Sequence, residues 1–302
     1  MAASGLHISI SAEKLFTVQG LDVTNSMVTS IIASVLLIAF GIWVKNSLKS
    51  TNRPTGIQNL AEWIIESLSS LVHSVTGNKK RTAQFFPLIA TFFLFILANN
   101  WLGLLPGIGT IGFRESLQHA ELLPSKLTFQ QPSLKVHASE VIEERVVQEG
   151  AGSAIPEGPA SQAKETTGRE VFVPYFRAGT ADLNMTLALG LISVVATQIF
   201  GFSQFKFGYF QKYLNFSSPI SFFVGILEFV SELSKIISFA FRLFGNIFAG
   251  EVLLAVVSSL VGIIAPMPFY GLEIFVGVIQ ALVFSMLSLV LFNMAMSGHG
   301  DH

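Results

Sequence analysis

Apolar residues run in long unbroken stretches along this chain, and the charges are pushed into the joints between them. Residues 23–44 hold no Lys, Arg, Asp or Glu over 22 positions, residues 82–113 none over 32, and residues 183–205 none over 23. About 20 apolar residues in a helix cross about 30 Å of hydrocarbon, so each run is long enough to span a bilayer. The last third, 219–296, is also apolar but carries embedded charges and a break at Pro266-Met267-Pro268. It reads as two helices joined at that break. The pattern predicts an all-α integral membrane protein of five membrane helices, the last two long, strongly tilted and paired as a hairpin. As one helix, 219–264 would run about 69 Å, more than twice the hydrocarbon thickness.

One joint has a pattern of its own. Ile57, Leu60, Ala61, Ile64, Leu68, Leu71, Val72 and Val75 recur at helical spacing, with Gln58, Glu62, Glu66, Ser69 and His73 on the opposite face. This predicts an amphipathic helix lying at the membrane interface or on a partner; a short soluble helix is the alternative.

Composition narrows the class. Of 302 residues, 51% are hydrophobic but only 12% charged, with 28 Phe and a mean hydropathy of +0.61. Soluble domains average about 25% charged residues, so too little charge is present to cover a water-soluble surface. A net charge of −1 supplies no basic field for nucleic acid. The absence of Cys excludes disulfides, thiolate metal sites and a thiol nucleophile on this chain. Residues 1–22 lack a basic start followed by an apolar stretch, so no secretory signal is expected. Domain organisation reads as one membrane domain over 1–302, with 114–178 an extramembrane loop insertion. Within that loop, 139–169 is rich in Glu, Ser, Pro and Gly, a composition that predicts partial disorder.

The joints also set an orientation. Lys45, Lys49, Arg53, Lys79, Lys80 and Arg81 crowd 45–81 against Glu62 and Glu66, and the link after the third segment holds Lys206 and Lys212 without an acid. By the positive-inside rule both joints lie inside, which puts the N-terminus outside and the C-terminus inside. Two other patterns carry little. Gly107-Ile-Gly109-Thr-Ile-Gly112 matches GxGxxG but follows a membrane helix, with no strand before it and no helix after it. His119, His137, His299 and His302 lack ligand-like spacing, and neither a metal nor a cofactor is expected.

The informative residues are ionisable groups inside membrane segments, each costing at least about 2.5–3.5 kcal/mol to insert. They are Glu228, Glu232, Lys235, Arg242 and Glu251 before the Pro break and Glu273 after it. Glu228, Glu232, Lys235, Arg242 and Asn246 fall near one line along a helix, while Glu251 points elsewhere. Glu228, Glu232 and Lys235 lie near the inner end and are close enough in sequence to pair at the interface. Arg242 is followed by no acid at i+3 or i+4; it is either a helix-gluing arginine or one that meets a carboxylate on another chain. Beyond the break, Glu273, Gly277 and Gln280 share a face, a polar line beside a small residue that suits a close helix pair lining a wet path.

Ser238-Phe-Ala-Phe-Arg242-Leu-Phe-Gly-Asn246-Ile-Phe-Ala-Gly-Glu251 resembles the signature of the a subunit of F-type ATP synthases. Asn100-Trp-Leu-Gly-Leu-Leu-Pro-Gly107, Ala181-Asp-Leu-Asn184-Met-Thr-Leu-Ala188 and the stretch from Gln280 resemble that family in the same order. The resemblance implies a stator subunit that provides two ion half-channels, with Arg242 facing the carboxylate of a c-ring. It also implies an ion path along Glu251, Glu273, Gln280, Asn246, Glu228 and Ser238; Glu273 stands where some members carry His. The implied partners are c-ring subunits, b-type peripheral stalk subunits and, indirectly, the soluble catalytic head. No covalent chemistry is implied on this chain, and the implied location is a bacterial plasma membrane, or else a mitochondrial inner or thylakoid membrane. A cation-coupled secondary transporter or channel, with an ion site at Arg242 and Glu251, is the alternative. Against it, no internal repeat is visible.

Overall fold

The computed structural model describes residues 12–18, 20–47, 56–105, 111–116, 170–206, 209, 218–261 and 264–297. It divides into two units, 1–113 with 172–302, and 114–171. Within the second, only 114–116 and 170–171 are described. The tail histidines, His119, His137 and Gly107–Gly109 of the GxGxxG pattern lie outside the described residues.

Among the described residues, six α-helices build the first unit: α1 (Asn25–Ser47), α2 (Gly56–Thr76), α3 (Lys79–Gly103), α4 (Leu183–Phe205), α5 (Pro219–Val261) and α6 (Met267–Ser297). All but α2 are long and apolar enough to cross a membrane. The expected spans are therefore present, and the Pro266–Pro268 break separates α5 from α6. Among the described residues, two short two-stranded ribbons add to the all-helical expectation: β1 (Lys14–Val18), antiparallel to β2 (Leu21–Thr24), and β3 (Gly112–Ser116) with β4 (Glu170–Pro174). In the first, Lys14 and Asp22 pair at 2.5 Å. The hydrogen bond from Lys14 holds the Asp22 carboxyl below its ordinary range. The charge-free run 82–113 is not one helix, because α3 ends at Gly103, ahead of Pro106, and Gly112 begins β3.

Local signals account for the helix ends. Asn78 caps α3 by accepting the Lys80 N–H at 2.8 Å, and Asp182 caps α4 by accepting that of Asn184 at 3.0 Å. Ser218 accepts the Ser221 N–H at 3.1 Å, with Pro219 in the first turn of α5. Gly77, at φ +61°, closes α2 in the left-handed region that a side chain disfavours. The predicted face of α2 is only partly buried: Ala61, Leu68 and Val72 pack inward, while Leu60 and Leu71 remain exposed.

Aromatic rings hold the bundle together. Phe85 of α3 meets Phe200 of α4 at 4.9 Å, Phe200 meets Phe292 of α6 at 5.0 Å, and Phe284 of α6 meets both Phe92 and Phe239 at 5.4 Å. Apolar surface gains little from leaving lipid, so close packing and buried polar contacts carry the association. Ser193 of α4 accordingly donates to Ser288 of α6 at 2.7 Å. A side chain on Gly190 would press on the Ile236 carbonyl, so α4 and α5 approach closely there. α6 lies mainly against α3 and α4, and α5 lies mainly against α4, with the α5–α6 contact the smaller one. At one end of the bundle Arg81 ties α3 to α6 by donating to Asn293 Oδ1 at 3.2 Å, and Asn293 donates to the Val75 carbonyl at 3.3 Å.

Candidate functional site

At the other end of the bundle, where α3 finishes and α4 starts, buried polar side chains converge. Ser30 of α1 donates to Asn99 at 2.8 Å, and Ser26 donates to Asp182 at 2.7 Å. Thr180, in the one-turn 3-10 helix Gly179–Ala181, donates to Asn100 Oδ1. Asn100 in turn donates to the Gly277 carbonyl of α6 at 3.2 Å. Each of these side chains is buried and hydrogen-bonded, as a polar group in a lipid-embedded bundle must be.

This network opens onto the expected line on α6. Glu273, Gly277 and Gln280 are all buried and face neighbouring helices. Gly277 lies against Asn100 of α3. The Glu273 carboxyl occupies the space where a Cβ on Gly250 of α5 would stand. Asn246 of α5 donates to Gln280 Oε1 at 2.7 Å, and the buried Gln280 Nε2 has no hydrogen-bond partner among the described residues.

Around Arg242 the picture inverts. Ser238, Arg242, Gly245 and Asn246 are exposed along α5, and among the described residues no hydrogen bond or ion pair reaches Arg242. A Cβ on Gly245 would meet open space. Further towards the start of α5, Lys235 donates to Glu232 at 2.9 Å, as their spacing allowed. Glu228 is half-buried on the same helix.

Glu251 has a partner that sequence spacing does not reveal. Arg177, buried just before the 3-10 turn, donates from Nε to both Glu251 oxygens at 3.0 Å and from Nη2 at 2.9 Å. Its guanidinium also stands 5.8 Å from the Phe248 ring centroid. The two residues are 74 positions apart, and Arg177 lies within the stretch expected to be extramembrane loop. The only linear hint was its position five residues before Asp182, at the edge of a membrane segment.

Among the described residues, five helices long and apolar enough to span a membrane, a buried polar tract between them and an exposed arginine on the longest helix define a multi-pass membrane protein. A family model described as ATP synthase A chain matches residues 27–293. The ATP synthase subunit a of Gloeobacter violaceus is 33% identical over 278 residues, covering 92% of this chain and 86% of that protein. The chain belongs to the ATP synthase subunit a family, the proton-transporting membrane subunit of the F-type enzyme.

Proposed function

We propose that this chain is the stator of an F-type ATP synthase and carries two half-channels that meet at Arg242. Arg242 faces a carboxylate of the c-ring. The polar tract of Asn100, Gly277, Glu273 and Gln280, with Glu251 beside it, is the outer half-channel. The stripe from Asn246 through Ser238 to Glu228 is the inner one. In this orientation the N-terminus is outside, the C-terminus is inside, and α2 lies at the inner interface, where b-type stalk subunits have room to dock.

The observation that carries this reading is the exposure of Arg242 without a partner among the described residues, one turn from Asn246. An unpaired cation at membrane depth is costly, so its counter-charge belongs to another chain. A ring carboxylate turns through lipid as the neutral acid. Beside Arg242 the opposite charge favours its ionised form. Protons therefore enter the ring from one half-channel and leave it by the other, and the fixed cation prevents direct passage between the two. Each charge crossing is worth about 2.3 kcal/mol per 100 mV, which turns the ring.

The test is ATP-driven acidification of inverted vesicles, with assembly followed on native gels. Arg242→Ala abolishes pumping while the complex still assembles. Arg242→Lys fails as well, because a compact ammonium lacks the planar fork and loses its proton when desolvated. Normal pumping by assembled Arg242→Ala complex rejects the reading.

A further inference from the structure

We propose that Arg177 is a positioning residue of the outer half-channel, clamping Glu251 so that Glu273 is the acid that passes protons. The inference rests on the half-channel reading above and divides the work between two acids that the reading treats alike.

The geometry separates them. Arg177 is fixed through its backbone as well as its side chain, since its N–H donates to Thr29 Oγ1 of α1 at 3.3 Å. Its guanidinium engages both oxygens of Glu251 in a charge-assisted pair. To take up and pass on a proton, Glu251 would first have to break that pair. Glu273 is held differently. It is buried against the backbone at Gly250, and among the described residues no hydrogen bond or ion pair reaches it. It also shares a helix face with Gln280, whose amide is bonded to Asn246, one turn from Arg242.

Charge gives the same division. Glu251 is held as an ionised partner of Arg177, so the charge that changes in this part of the path is that of Glu273. Glu273 takes a proton from the outer side as a carboxylate. It then releases that proton towards the ring carboxylate beside Arg242, and returns to its starting charge. Removing Arg177 alone leaves the Glu251 carboxylate without the guanidinium that holds it. Removing Glu251 as well takes that unpaired carboxylate away.

The experiment uses the whole complex in inverted vesicles, with each variant normalised to assembled enzyme. Glu273→Gln lowers ATP-driven pumping by at least about tenfold in every background, as expected for loss of the transferring acid. Arg177→Gln lowers it by about fivefold or more, through the unpaired charge it leaves. Adding Glu251→Gln to Arg177→Gln raises pumping at least about threefold above Arg177→Gln alone, and Arg177→Lys, which keeps the charge without the fork, falls between Arg177→Gln and the native enzyme. A merely structural Arg177 predicts neither rescue. The proposal is overturned if the double variant pumps no better than Arg177→Gln, or if Glu273→Gln pumps better than Glu251→Gln. The second comparison decides the matter even if Arg177→Gln does not assemble. Arg242→Ala serves as the control: pumping there removes the half-channel reading itself, whereas a silent Arg242→Ala with failed rescue removes only the role of Arg177.

Discussion

Gly250 bears no side chain at the point where the Glu273 carboxyl reaches α5. An added methyl there must displace either the carboxyl or the helix, and overpacking of this kind costs about 1–3 kcal/mol. Gly250→Ala is therefore expected to lower pumping about tenfold or more. Gly271→Ala, whose methyl meets open space two residues from Glu273, should leave pumping within about twofold of native. Equal effects of the two would mean that the position of Glu273 is not critical. Such contacts were only half legible in the chain. The period of 3.6 put Glu273, Gly277 and Gln280 on one face, but it could not say that this face meets Asn100, Gly250 and Asn246 on two different helices.

The 43 residues of α5 run about 65 Å at 1.5 Å each, roughly twice the hydrocarbon thickness, so the helix must lie strongly tilted or curved in a bilayer. Its charged positions are then spread across the depth of the membrane, with Lys235 towards one side and Glu251 towards the other. The native chain has no Cys, which makes this simple to measure. In the proposed orientation, Glu251→Cys and Glu273→Cys react with Ag⁺ or an impermeant thiol reagent supplied from outside, and Lys235→Cys reacts from inside. Labelling of the first two from the inner face alone overturns both the orientation and the half-channel assignment. Helix existence was legible because hydrophobic run length and proline breaks are local properties. Helix neighbours were not. α5 and α6 are consecutive, yet each lies more against α3 or α4 than against the other: rings join α6 to α3 and α4, and the close approach at Gly190 joins α5 to α4.

In the whole molecule, the described helices, the polar tract and the Arg177–Glu251 pair are built from residues outside 122–167. Deleting 122–167 is therefore expected to leave ATP-driven pumping within about twofold, provided that the closure is long enough to keep Arg177 in place, since loop length itself costs little. An assembled deletion complex without pumping would tie that segment to transport. Extending the deletion through Arg177 is a different experiment, because it removes the partner of Glu251.

Five membrane spans, the break near Pro266, the surface pattern of α2 and an arginine without an acid nearby on its own helix were determined by the sequence alone. Each depends on the order of residues within one or two dozen positions, where the cost of burying charge and the geometry of the helix act directly. Tertiary structure decided which acid is clamped and which is not. Arg177 and Glu251 stand 74 residues apart, and only the packing of α1, α4 and α5 around the Gly179–Ala181 turn brings them together. Side-chain pairing across a bundle depends on helix rotation and neighbour choice, which no local pattern of hydrophobic and polar positions contains.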